Sequence, residues 1–126
     1  MGIRGAAALL AGMVAATPAL AGPMRIEVHN FTGWTLEYLV AAVQGTVAPF
    51  HTGGADIEGS PATATVSRSG NPICYLNASV QMLSPTVAQC EGTVTIEPRN
   101  PHPHLCHAFV VNEGQPTCKI HLFVTY

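Results

Sequence analysis

Thr117 to Tyr126 reads TCKIHLFVTY, and its alternation decides the fold. Cys118, Ile120, Leu122 and Val124 share one parity, so an extended backbone sets them on one face and Lys119, His121 and Thr125 on the other. Three upstream runs carry the same mark. In residues 73 to 83 (ICYLNASVQML) Cys74 is in phase with Leu76, Val80 and Met82. In 87 to 97 (VAQCEGTVTIE) Cys90 is in phase with Val94 and Ile96, and in 105 to 111 (LCHAFVV) Cys106 is in phase with Ala108 and Val110. A cysteine that keeps step with its strand's apolar residues points into the core.

Working towards the N-terminus, strands are expected at 25 to 31 (RIEVHNF), 34 to 43 (WTLEYLVAAV) and 62 to 68 (ATATVSR). Leu36, Leu39, Val40 and Val43 also fit one helical face, but the β-rich beginning of 34 to 43 favours a strand. Residues 45 to 61 hold Pro49, Gly53, Gly54, Gly59 and Pro61 and few bulky apolar side chains, which reads as a long exposed loop. The expectation is an all-β domain of about seven strands, a small antiparallel sandwich or flattened barrel.

The first 21 residues have a different character. Arg4 precedes an apolar run from Gly5 to Ala16, and Ala19-Leu20-Ala21 forms an A-x-A site, the order of a cleavable secretory signal peptide. The run is short of the ~20 residues of a membrane span, and no cysteine follows the cleavage site as a lipid anchor would need. The mature chain, 22 to 126, is then one secreted or periplasmic domain without a transmembrane segment. Four cysteines in an oxidising compartment imply two disulfides, since their separations of 16, 16 and 12 residues lack a C-x2-C zinc knuckle. If the last four strands run up and down, Cys74 and Cys106 share one end and Cys90 and Cys118 the other, so those are the expected pairs.

The mature chain has four basic side chains, Arg25, Arg68, Arg99 and Lys119, against seven acidic ones. Without a basic patch it is not built for nucleic acid, which leaves an unidentified protein, glycan or lipid as partner. Phe31, Trp34 and Phe50 are aromatic candidates for gripping such a ligand. Histidine is the abundant chemical group: His102, His104 and His107 crowd the segment NPHPHLCH, and a short turn at 113 to 115 would set His107 opposite His121. These four could hold Zn²⁺ or Cu²⁺, or respond to acid as a facing pair. Catalysis has less support, because no G-x-S-x-G elbow occurs and every cysteine is committed. The favoured reading is a disulfide-stabilised binding or structural module, followed by a metal-binding protein and then by a small secreted hydrolase. Two triplets, Asn30-Phe31-Thr32 and Asn77-Ala78-Ser79, have the form of N-glycosylation acceptors.

Two fragments resemble known groups. The segment IEVHNFTGWTL, Ile26 to Leu36, is similar to the first hairpin of small secreted β-sandwich proteins such as the aegerolysin-like membrane-binding proteins. KIHLFVTY, Lys119 to Tyr126, resembles the aromatic-ended last strand of outer-membrane barrels and of chaperone-usher pilus or spore-coat-U-type subunits. Each likeness implies an exported all-β chain and transfers no functional residue.

Overall fold

A computed structural model describes residues 24–58, 61–101, 104–111 and 117–126. The expected signal peptide and His102 lie outside these residues. Nine strands are present among those described: β1 (Met24–Asn30), β2 (Leu36–Val40), β3 (Val43–Val47), β4 (Thr52–Ile57), β5 (Ala62–Arg68), β6 (Asn71–Ser84), β7 (Val87–Ile96), β8 (Leu105–Val111) and β9 (Cys118–Thr125). They form two sheets, β4-β1-β9-β8 and β3-β2-β5-β6-β7. The chain is a β-sandwich, and the flattened barrel is set aside.

The core lies between the sheets and is built from the alternation read in the sequence. Met24, Ile26 and Val28 of β1 and Ile120, Leu122 and Val124 of β9 are fully buried, and face Val66, Leu76 and Val80 in one apolar cluster. β1 and β9 pair in parallel at the centre of their sheet, although they come from opposite ends of the domain.

Several expectations are corrected, among them the strand count, nine among the described residues for about seven, and the purely antiparallel pairing, which the β1–β9 seam breaks. Residues 34 to 43 are not one strand: the chain turns at Ala41-Ala42, with Ala41 at φ 53°, so that β2 and β3 form a hairpin. Nothing in Ala-Ala signals a turn that requires a left-handed residue. The region 45 to 61 is not a long loop either, because β3 ends and β4 runs within it. Its glycines serve packing. A β-carbon on Gly45 would collide with the Tyr38 ring, one on Gly53 would lie 3.0 Å from it, and one on Gly54, at φ +155°, would meet the Ile26 carbonyl.

The up-and-down run of the last four strands is corrected as well. β6 pairs with β7 and β8 with β9, but the Pro-rich link after Glu97 carries the chain from one sheet to the other. For the same reason Ile26 to Leu36 is no hairpin, since β1 and β2 belong to different sheets. The disulfides join Cys74 to Cys106 and Cys90 to Cys118, with Cα separations of 6.5 and 6.1 Å. Each crosses between the sheets, on the side where edge strands β7 and β8 meet. On the other side, the Tyr38 ring lies over Gly45 and Gly53, and its hydroxyl donates to the Gly54 carbonyl at 3.4 Å.

Candidate metal centre

The parallel seam of β1 and β9 decides which polar groups meet on the outer face. With Ile26 and Val28 buried, Arg25, Glu27 and His29 must project outwards, and β9 likewise presents Lys119, His121 and Phe123. The register sets His121 beside Glu27 and Phe123 beside His29. Glu27, His29 and His121 converge as a result. His29 Nε2 lies 2.8 Å from His121 Nδ1, and Glu27 Oε1 is 3.4 Å from the first and 3.3 Å from the second. All three side chains are about four-fifths buried.

Two of the three, Glu27 and His29, are held from behind. Arg25 Nε donates to Glu27 Oε2 at 2.9 Å, which turns Oε1 towards the imidazoles, and Arg25 is itself anchored to Asp56 at 3.2 Å. The Arg25 guanidinium keeps the Glu27 carboxyl below its usual range. His29 Nδ1 is 3.0 Å from the Thr52 hydroxyl on β4. With that hydroxyl accepting, the Nδ1 proton is fixed and the Nε2 lone pair faces the cluster, the arrangement that supports a ligating histidine. Burial first, and the neighbouring His121 second, hold the His29 pKa below its ordinary value, so its neutral form is favoured.

Aromatic rings border the cluster. Phe123 stacks on His29 with centroids 4.8 Å apart, and Phe31, half exposed, stacks on Phe123 at 5.8 Å. Phe31, taken from the sequence as a ligand-gripping residue, therefore belongs to the rim of this site.

Of the four histidines expected from sequence, His102 lies outside the described residues, and among the described residues His104, His107 and His121 form no common donor group. His107 stands opposite Phe123, and His121 opposite Phe109, so the facing His107–His121 pair is corrected to a diagonal. The register differs by two residues from the one a three-residue turn would give. His121 instead turns across the parallel seam to His29, and that pair takes the place of the one expected. His104 is buried at the end of the sandwich, its ring 5.4 Å from Trp34 and 5.6 Å from Tyr126, with Arg68 Nη1 3.2 Å from its Nε2. A guanidinium can only donate, so that nitrogen is committed as an acceptor and is not free for a metal. Arg68 also covers Trp34, its guanidinium carbon 3.8 Å from the ring centroid, which occupies the face a ligand would use. Phe50 is exposed at the turn before β4, with φ 61°.

Glu27 and His29 are absent from the sequence-based candidates because only the pairing of the two end strands reveals them. The local signal was their outward phase in RIEVHNF. Asn30, the next residue, is buried: its Nδ2 donates to the carbonyls of Trp34, Val47 and Ala48, and its Oδ1 accepts from the Thr32 amide and hydroxyl. This triplet thus serves as a structural plug, with the amide that a glycan would need enclosed in the fold. No family profile and no curated protein matches the chain.

Proposed function

We propose that this protein is an exported binding module that takes up a divalent transition-metal ion, zinc or copper, through His29 Nε2, His121 Nδ1 and Glu27 Oε1. The spacing of these three donors carries the reading. A tetrahedral ion with bonds of ~2.0–2.1 Å sets its ligands roughly 3.3–3.4 Å apart, and the observed separations are 2.8, 3.3 and 3.4 Å. Only the imidazole pair must open, by about half an ångström. Two imidazoles and a carboxylate suit a borderline ion, and the Arg25 and Thr52 contacts supply the outer support such ligands require. The signal-like N-terminus and the two disulfides fit an oxidising compartment outside the cytoplasm, and among the described residues no helix is long and apolar enough to cross a membrane.

Thermal melting tests it. Free zinc at a hundred times the dissociation constant stabilises the folded state by about 2.7 kcal/mol, which in a domain of this size raises Tm by roughly 10–20 °C. His29→Ala and His121→Ala each abolish the rise, whereas His104→Ala keeps it. A zinc- and copper-independent Tm would overturn the assignment.

A further inference from the structure

The outer face of the β4-β1-β9-β8 sheet has a feature that the three-ligand centre does not use. Thr52, His29, Phe123 and His107 form one row across the four strands, and Gly54, Glu27, His121 and Phe109 the next. His107 is exposed, Leu105 and Phe109 on its own strand are 51% and 60% exposed, and Phe31, against Phe123, is 51% exposed. Three protein donors leave a tetrahedral ion one position short. The same face thus offers, in the row of His29, an imidazole whose own ion lies too far away. The centre straddles β1 and β9 while His107 sits on β8, a lateral offset of about one and a half strand spacings, roughly 7 Å.

We propose that the centre is completed by a second copy of this chain, packed face to face, whose His107 supplies the fourth ligand to each ion. This rests on the metal reading above. A two-fold axis lying in the interface parallel to β9, midway between the centre and His107, keeps every residue in its row and exchanges the two lateral positions. It therefore brings each His107 over the partner's Glu27-His29-His121 group, and the symmetry makes both bridges at once. The same operation places Phe109 over the second row and turns Phe123 towards its own copy, so that exposed apolar side chains are covered where the ions are shielded from water. The four charged groups at and beside the centre, Arg25 and Lys119 against Glu27 and Asp56, cancel in sign, so the net charge of each loaded face is that of its ion, which the partner's His107 approaches as a ligand.

Sedimentation equilibrium of the full chain with and without zinc, beside calorimetric titration, tests this. The zinc-free protein is expected to be a monomer, and the protein with one zinc per chain a dimer. His107→Ala should still take up one zinc, with affinity lowered on the order of tenfold, and remain monomeric; Phe109→Ser should weaken the dimer while leaving the ligands in place. Wild-type protein that binds zinc and stays monomeric would overturn the bridge while leaving the centre intact. A ladder of higher oligomers would overturn the two-fold arrangement. Failure to bind zinc at all would remove both proposals.

Discussion

Asn30 shows how much one polar side chain can hold when it is buried and fully paired. Three carbonyls, of Trp34, of Val47 at the end of β3 and of Ala48 after it, converge on its amide nitrogen, and Thr32 satisfies its oxygen. Replacing it with Ala removes a donor from all three carbonyls, of which Trp34 keeps the Thr32 hydroxyl, and Asn30→Ala should lower stability by about 2–3 kcal/mol in urea denaturation; a change within 0.5 kcal/mol would show that water substitutes for the amide. Glu97 makes a different kind of contribution. The Tyr75 hydroxyl at 2.7 Å, and then Arg99, hold its carboxyl down to about 2 from an ordinary 4.5. A carboxyl with a depressed folded pKa stabilises the fold above its unfolded value, and the contribution is lost as pH falls from about 4.5 towards 2. In Tm measured against pH, Glu97→Gln should flatten that acid limb and leave the curve above pH 6 parallel to wild type. An unchanged slope would mean that the Tyr75–Glu97–Arg99 group does not hold in solution.

At the level of elements, the alternation of β1, β5, β6, β7, β8 and β9 was legible in the sequence because each strand has one core face and one wet face. The four cysteines shared the core parity, which set all four sulfurs inwards; their pairing was inferred from an up-and-down run and holds although the strands lie in two sheets and not in one meander. What escaped was information carried by distant partners. Gly45, Gly53 and Gly54 look like loop residues until Tyr38 and the β1 backbone are seen against them, and the Ala41-Ala42 turn has no local signature. Glu27 and His29 escaped for the same reason, since their meeting with His121 depends on a parallel pairing between strands about ninety residues apart. The sandwich is closed by sulfur on one side and by the Tyr38 ring on the other. The disulfides span 32 and 28 residues, so replacing either pair by alanine should cost about 3–4 kcal/mol by the loop-entropy model. Equilibrium denaturation of the Cys74→Ala/Cys106→Ala variant measures it; a loss below 1 kcal/mol would show that packing alone closes that side.

For the whole molecule, the consequence of the topology is that the first and last strands meet in the middle of one sheet and carry the candidate ligands across their seam. An ion held there ties the two ends of the domain together and binds only when they are paired, so uptake and folding are coupled. The scaffold behind the seam is apolar and crosslinked, which holds the two ligand-bearing strands in register, while the face in front is aromatic and exposed. Calorimetric titration of zinc into metal-free wild-type protein and into the His29→Ala/His121→Ala variant tests the assignment most directly. One ion per chain in the wild type and none in the variant is the predicted result; equal binding by both, or by neither, would contradict it.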